Sequence, residues 1–273
     1  MSAKIITVAN QKGGTGKTTS VCNLGNALAR EGKKVLLIDF DPQANLSMSF
    51  GIERPDELSM SMHDVLSLVM DGTALPADKG EYILSGKRLD IIPSNINLSV
   101  TEINLRDEMS GESTLKELLE PLRAKYSYII IDTNPYLGML TINALAVCDS
   151  VIIPVSPQLW SATGLTDLMQ TISKVKRKIN PNIKVDGILL TMCDERTRLY
   201  REAKTLLDDF CGERVKIFDA HIPSTVKVGE ANYSSQCVMD HDAGSKAALA
   251  YMELAKEVIA NGRHASHQAK TPA

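Results

Sequence analysis

The sequence has few cysteines, and their spacing matches no metal or redox motif. Five cysteines lie far apart in 273 residues, and none forms a C-x-x-C pair. An odd number of scattered cysteines excludes a disulfide scaffold and is typical of a reduced compartment. We therefore expect them to be small core residues rather than metal ligands. The five are Cys22, Cys148, Cys193, Cys211 and Cys237.

Long apolar segments and an excess of positive charge are also lacking. No apolar run approaches the roughly 18 residues of a transmembrane helix, and the N-terminus has no signal-peptide core. This pattern predicts a soluble, cytoplasmic protein with no membrane partner. The 30 basic and 33 acidic residues give a net charge of −3, which excludes a uniformly basic nucleic-acid-binding protein. Any contact with DNA must come from a local patch.

The sequence does contain short β-branched runs that alternate with longer helical patterns. This alternation predicts an α/β fold with a doubly wound, mostly parallel sheet and helices on both faces. We expect one domain over residues 1–261, with an irregular excursion at 53–87 and a disordered polar tail at 262–273. Strands are predicted at 4–9, 34–39, 89–93, 128–132, 150–155, 184–191 and 215–218. Helices are predicted at 17–30, 114–125, 137–147, 162–179, 197–210 and 243–260.

A glycine-rich segment follows the first predicted strand and opens the first predicted helix. Its ending, Gly16-Lys17-Thr18, is that of a phosphate-binding P-loop, although the simple motif requires glycine where Gln11 stands. Backbone amides at a helix N-terminus bind phosphate, Lys17 adds a positive charge, and the Thr18 hydroxyl can bind Mg²⁺. The predicted nucleotide-binding residues are Gly13, Gly14, Thr15, Gly16, Lys17, Thr18 and Thr19.

Three acidic residues follow the ends of predicted strands. Asp39 and Asp41 end one strand and Asp132 ends another. The carboxyl ends of strands in an open α/β sheet face the ligand crevice. A single aspartate at such a place is often a helix cap, but three beside a P-loop favour a nucleotide and metal site.

The segment 12–19, K-G-G-T-G-K-T-T, resembles the deviant Walker A motif of the ParA/MinD ATPases. Residues 39–43, D-F-D-P-Q, resemble the second acidic motif of that family, and residues 129–132 its Walker B strand. Segments 140–145, 191–197 and 222–231 are similar to the ParA/Soj branch, which partitions chromosomes and plasmids. The resemblance implies a P-loop NTPase of the deviant Walker A type.

The same resemblance implies roles for individual residues. Lys12 would reach the nucleotide of the opposing subunit, so that ATP closes a homodimer, and Asp41 would orient the attacking water. The expected activity is slow, Mg²⁺-dependent hydrolysis of ATP to ADP and phosphate. The implied catalytic residues are Lys12, Lys17 and Asp41; the implied metal residues are Thr18, Asp39 and Asp132; the implied adenine contacts are Asp194 and Pro223.

The resemblance also implies partners. The ATP dimer would bind nonspecific DNA, associate with the nucleoid, and be reset by a ParB-like centromere-binding protein. Few residues precede the first strand, so we expect no operator-binding N-terminal extension. Relatives often carry two prolines after the Walker B strand and arginines after the segment 222–223; here Asn134 precedes a single proline, and Ser224 stands in the second segment. The candidate DNA-binding residues are Arg196, Arg198, Arg201 and Lys227.

Two alternatives remain open on the same scaffold. A MinD-like ATPase that acts on a membrane or another cellular cargo needs a basic amphipathic C-terminal helix, and residues 261–268 are too polar for one. An electron carrier related to nitrogenase reductase needs cysteines that hold a bridging Fe–S cluster. The loop after Asp132 has no cysteine, and Cys148 falls at the end of a predicted helix.

Overall fold

The computed structural model describes residues 2–158, 162–212 and 215–268, with side chains through residue 262. Within these residues, seven strands form one sheet. They are β1 Lys4–Val8, β2 Val35–Phe40, β3 Leu84–Ser85, β4 Asp90–Ile92, β5 Tyr128–Thr133, β6 Ser150–Val155 and β7 Lys184–Leu190.

The strand order is β3-β4-β2-β5-β1-β6-β7, and every pair is parallel except β3 with β4. The central strands β1, β2 and β5 align their carboxyl ends. Asp132 lies opposite both Val8 of β1 and Asp39 of β2. The sheet therefore brings the P-loop and two of the three predicted carboxylates to one edge.

Helices cover both faces of the sheet, which confirms the doubly wound α/β prediction. Helices α1, α2, α10 and α11 pack on one face, and α3, α4, α5, α6 and α7 pack on the other. Their bounds are α1 Lys17–Arg30, α2 Asn45–Ser49, α3 Met62–Met70, α4 Leu98–Asp107, α5 Thr114–Leu119, α6 Met139–Val147, α7 Ala162–Lys178, α8 Arg198–Cys211, α9 Val226–Tyr233, α10 Val238–His241 and α11 Lys246–Gln268.

The central strands form where apolar side chains run without interruption. Ile129, Ile130 and Ile131 of β5 are each 0% exposed, so the strand is covered on both faces. Burying each such side chain contributes about 1.5–3 kcal/mol. The five cysteines are also buried and free, as expected for core residues.

Several element predictions were wrong. Residues 215–218 form no strand; Ile217 makes a single parallel bridge to Ile188 at the open edge of β7. The excursion at 53–87 contains α3, which begins at a capping box of Ser61 and Asp64. Helices α2, α4, α9 and α10 were not predicted.

Two predicted helix ends also differ from the structure. Helix α5 ends at Leu119 and gives way to a 3₁₀ turn at Glu120–Leu122, because Pro121 cannot donate a helical hydrogen bond. Helix α11 continues to Gln268, where the sequence predicted a polar tail from residue 262. The last part of that predicted tail, 269–273, lies outside the described residues. Among the described residues, no helix has the length and apolar character needed to cross a bilayer.

Candidate nucleotide site

The glycine-rich loop lies between β1 and α1, as predicted. Gly14 and Gly16 have φ angles of 73° and 80°, a left-handed conformation that glycine adopts without a Cβ clash. Gly16 is the N-cap of α1, and Lys17 is the first residue of the helix. The turn therefore directs the loop amides and the positive end of the helix dipole toward the same space.

Three hydrogen bonds fix this loop to its neighbours. The Asn10 side-chain amide donates to the Pro154 carbonyl at 2.6 Å, and the Lys12 amide donates to Asn10 Oδ1 at 3.0 Å. The Thr191 hydroxyl donates to the Thr15 carbonyl at 2.9 Å. In the part of the chain that is described, no acceptor takes the amide hydrogens of residues 13–16. These amides are available to an anion.

Lys17 is buried beneath the loop. The residue is 8% exposed, and its Nζ donates to the Lys12 carbonyl at 3.4 Å. Burial lowers the pKa of Lys17, while the charges of Asp132 and Asp41 oppose that shift. The ammonium therefore stands between the loop amides and the acidic strand ends, where it can neutralise a bound phosphate.

Asp132 is the carboxylate without protein partners. It is 1% exposed, and neither oxygen accepts a hydrogen bond from a described group. Burial, followed by the charge of Asp39, raises its pKa well above the usual range. The nearby Thr18 hydroxyl acts in the opposite direction and lowers the pKa of Asp132, although the two groups are not aligned for a hydrogen bond. A buried carboxylate with both oxygens free and a hydroxyl nearby is a cation-binding arrangement.

The donor set at Asp132 and Thr18 fits Mg²⁺. No cluster of three or more histidine, cysteine or acidic side chains among the described residues could hold a metal by itself. Mg²⁺ does not require one, because it usually takes one or two protein oxygens and completes its octahedron with phosphates and water.

Asp39 and Asp41 are held differently from Asp132. Asp39 is 0% exposed and accepts hydrogen bonds from the Ser47 amide, the Ser47 hydroxyl and the Asp41 amide. Burial raises its pKa to about 7 in spite of these bonds. Asp41 accepts from the Gln43 amide at 3.0 Å through Oδ1. Burial also raises the pKa of Asp41, against the Gln43 hydrogen bond and the charge of Lys17. Both oxygens of Asp39 are therefore held by protein donors, unlike those of Asp132.

Lys12 has the opposite environment from Lys17. Its side chain is exposed, and no described carboxylate pairs with its ammonium. Its backbone nevertheless supports the buried lysine, because the Lys12 carbonyl accepts from Lys17 Nζ and from the Thr15 hydroxyl. One loop thus holds one lysine inside the site and one at its rim.

The two predicted adenine segments lie together beside the loop. Cys193 pairs with Pro223 in a parallel bridge, and Thr191, two residues earlier, bonds the loop at Thr15. Asp194 is tied to Arg196 by an ion pair of 2.9 Å. Met192 was missed by the sequence analysis; it is 39% exposed, and a Cβ at Gly16 would lie 3.9 Å from its Cε. No local sequence pattern marks this methionine.

The candidate DNA-binding residues lie in the turn before α8 and in the first turns of α8 and α9, and three of the four are paired with an acidic side chain. Arg198 pairs with Glu202 at 2.6 Å and Lys227 with Glu230 at 3.0 Å. Arg201 differs, because within the described part of the chain its guanidinium makes only long hydrogen bonds, of 3.4 Å, to the carbonyls of Arg196 and Thr197. Of these basic residues, Arg201 keeps the least compensated charge.

A glycine-rich strand-to-helix loop, a buried lysine and carboxylates at neighbouring strand ends define a P-loop nucleotide site on a doubly wound sheet. Comparison with known proteins agrees. A family model described as an AAA domain matches residues 3–185. The chain belongs to the ParA/MinD family of P-loop ATPases, in its Soj/ParA branch.

Two relatives and one solved structure illustrate this membership. The sporulation initiation inhibitor protein Soj of Bacillus subtilis is 41% identical over 263 residues, covering 95% of this chain and 99% of Soj. The chromosome partitioning protein ParA of Caulobacter vibrioides is 39% identical over 263 residues, covering 95% of each chain. A Mycobacterium smegmatis structure described as cobyrinic acid a,c-diamide synthase, with bound ADP and magnesium, is 33% identical with a TM-score of 0.81, covering 99% of this chain and 98% of the other. These similar proteins carry names that describe different functions, so the function of this chain must be argued from its site.

Proposed function

We propose that this chain is a DNA-partitioning ATPase that uses ATP as a switch. It binds ATP with Mg²⁺, closes into a homodimer, binds nonspecific DNA in that state, and is reset by slow hydrolysis to ADP and phosphate. Its membership of the Soj/ParA branch supports the partitioning role, since the relatives include a chromosome partitioning protein. A ParB-like partner would accelerate the reset, and the ATP state would be cytoplasmic and associated with the nucleoid.

The site residues divide the hydrolytic reaction between them. The free amides of residues 13–16 and the Lys17 ammonium bind and neutralise the phosphates, which is most of what phosphoryl transfer requires. Thr18 and Asp132 would hold Mg²⁺, which when bound offsets charge on the β- and γ-phosphates. Asp41 has one oxygen fixed by Gln43 and a second oxygen able to accept from an attacking water.

The contrast between Lys12 and Lys17 carries the switch proposal. Lys17 alone is positioned to serve the nucleotide of its own subunit, because it is buried among the carboxylates. Lys12 is exposed at the rim, so its ammonium is available to a nucleotide on a facing subunit. A γ-phosphate offers that cation more charge than ADP does, and ATP therefore favours the dimer over the monomer.

Lys12→Ala tests this role. We expect the variant to bind ATP like the wild type and to remain monomeric with ATP and Mg²⁺, because only the cross-subunit cation is removed. A fluorescent ATP analogue measures binding, and light scattering measures the dimer. Lys34→Ala is the matched control, since Lys34 is exposed at the opposite, amino end of β2.

Each outcome has a defined meaning. Dimerisation of Lys12→Ala at the wild-type ATP concentration would contradict the role of Lys12. Loss of the dimer in Lys34→Ala as well would show that the effect is not specific to the rim lysine. A wild-type protein that binds ATP but releases no phosphate would contradict the proposed activity as a whole.

A further inference from the structure

The buried carboxylate of Asp39 is directed toward α2 by short hydrogen bonds. Its Oδ2 accepts from the Ser47 amide at 2.8 Å and from the Ser47 hydroxyl at 2.7 Å. Both residues are 0% exposed. Because both donors are buried and bind the same oxygen, Asp39 and Ser47 hold each other in a single arrangement.

Ser47 also connects a third segment to this pair. Its hydroxyl oxygen accepts from the Ser94 amide at 3.0 Å, and Ser94 lies just after β4. Ser94 is itself 0% exposed. One side-chain hydroxyl thus joins the carboxyl end of β2, helix α2 and the carboxyl end of β4.

The other oxygen of Asp39 faces the loop that contains Asp41. Asp39 Oδ1 accepts from the Asp41 amide at 3.3 Å, and Asp41 Oδ1 accepts from the Gln43 amide at 3.0 Å. The backbone at Asp41 is therefore fixed from one side by Asp39, and its carboxylate is fixed from the other side by Gln43. A shift of Asp39 would be passed to Asp41 directly.

We propose that Ser47 is a positioning residue for ATP hydrolysis: it holds Asp39, and Asp39 holds the backbone of Asp41 in the orientation that directs the attacking water. The inference rests on the proposed function, in which Asp41 orients that water. Ser47 would act on the rate of hydrolysis and not on nucleotide affinity, because its side-chain hydrogen bonds among the described residues go to Asp39 and Ser94 and not to the glycine-rich loop.

Ser47→Ala removes the hydroxyl while keeping the amide that caps Asp39. Small misplacements of a reacting group are costly, so we expect kcat for ATP to fall by about 10- to 100-fold. The affinity for a nonhydrolysable ATP analogue and the ATP-dependent dimer should stay within about twofold of wild type, because the lost interaction serves only the reaction step. Ser47→Thr, which restores a hydroxyl, should recover wild-type turnover.

Ser49→Ala is the matched control. Ser49 lies in the same short helix, but it is only half-buried, and among the described residues its hydroxyl donates to the Asn45 carbonyl of that helix and not to Asp39. The kcat of Ser49→Ala for ATP should equal that of the wild type. Circular dichroism shows whether Ser47→Ala is folded; if it is not, Ser47→Cys, which fills the same space with a weak donor, takes its place and should show the same fall in kcat.

The result expected is therefore a low kcat with unchanged analogue binding, restored by threonine. Wild-type kcat in the folded alanine or cysteine variant would overturn the positioning role, as would equal losses of kcat and affinity, or no recovery in Ser47→Thr. Absence of phosphate release by the wild-type protein would instead contradict the proposed function, so the two failures are distinguishable.

Discussion

Asp39 and Asp132 are neighbours on paired strands, yet their surroundings separate their roles. Both are essentially inaccessible, with exposed fractions of 0% and 1%. The oxygens of Asp39 accept hydrogen bonds from Ser47 and from the backbone amide of Asp41, whereas neither oxygen of Asp132 has a described partner. A buried charge without hydrogen bonds is costly unless a cation compensates it. We therefore propose that Asp132 is the main metal ligand and that Asp39 supports it.

Asp132→Asn should separate metal binding from folding stability. Burial raises the pKa of Asp132 well above its unfolded value of about 3.9, so the folded state binds the proton more tightly. The raised pKa adds to the free energy of unfolding. This contribution is complete below the unfolded pKa and disappears as the pH rises through the folded pKa. Without metal, we expect the asparagine variant to unfold at higher urea than wild type at pH 8, by about 1–3 kcal/mol. The difference should shrink toward pH 5.

The same variant should lose the extra thermal stabilisation that Mg²⁺ adds to bound ATP, because the proposed ion ligand is gone. Melting curves with ATP, with and without Mg²⁺, measure this effect. Asp107→Asn, at an exposed carboxylate, is the control and should change neither curve. A full Mg²⁺ response in Asp132→Asn would remove Asp132 from the metal site.

At the scale of elements, one side chain of α6 organises the start of α5. Asn143 is 0% exposed; its carbonyl oxygen accepts from the Leu115 amide at 3.0 Å, and its amide donates to the Gly111 carbonyl at 2.8 Å. The first amides of a helix have no partner within the helix, so Asn143 supplies one from a neighbouring element. Helix α5 is short, and this contact fixes where it begins.

Asn143→Ala should therefore destabilise the fold without touching the nucleotide site. Two buried backbone groups lose their partner, and we expect a loss of about 2–3 kcal/mol in the free energy of unfolding. Urea titration followed by circular dichroism measures it. Asn104→Ala, at an exposed position of α4, should stay within about 0.5 kcal/mol of wild type. Equal midpoints for the two variants would show that Asn143 is not a structural link.

The elements differ in how far the sequence alone could predict them. Strands β2, β5 and β6 were predictable because uninterrupted β-branched runs mark strands covered on both faces. Helices α3 and α4 were not, since each is short and stands in or near a region rich in glycine and proline. The strand predicted at 215–218 was wrong for a different reason. At a sheet edge, a strand forms only where the neighbouring backbone is in place to pair with it, and of these four residues only Ile217 forms a bridge, to Ile188.

At the scale of the whole molecule, local motifs and long-range contacts contributed differently to the site. The P-loop and the acidic strand ends were predictable, because each is a short pattern whose place follows from parallel strands. The hydrogen bonds of Ser47 were not, because they join it to Asp39, 8 residues away, and to Ser94, 47 residues away, with no sequence motif linking the three. Nothing near Ser47 or Thr191 in the sequence marks either residue, and only the fold brings them to the site.

Net charge is the other whole-molecule property, and it constrains how DNA would be held. A chain of net charge −3 must use a local patch, and within that patch Arg198 is paired with Glu202 while Arg201 faces only backbone carbonyls. The positive charge of Arg201 is therefore less compensated than that of Arg198, and Arg201 should attract a DNA phosphate more strongly. A dimer presents each such residue twice, and affinity falls steeply with each lost phosphate contact.

We therefore predict sequence-independent DNA binding by the ATP form only, with Arg201→Glu weakening it more than Arg198→Glu while ATP binding stays intact. Losing one phosphate contact per subunit should make the salt dependence weaker: the negative slope of log affinity against log salt should decrease in magnitude by about 2 in the dimer. Fluorescence anisotropy with labelled DNA over a salt series measures both quantities. Arg54→Glu makes the same change in net charge at an exposed arginine away from the patch and should keep the wild-type slope. Equal DNA affinity with ADP and ATP would contradict the switch. Wild-type slopes in both charge reversals would instead place the DNA elsewhere on the surface.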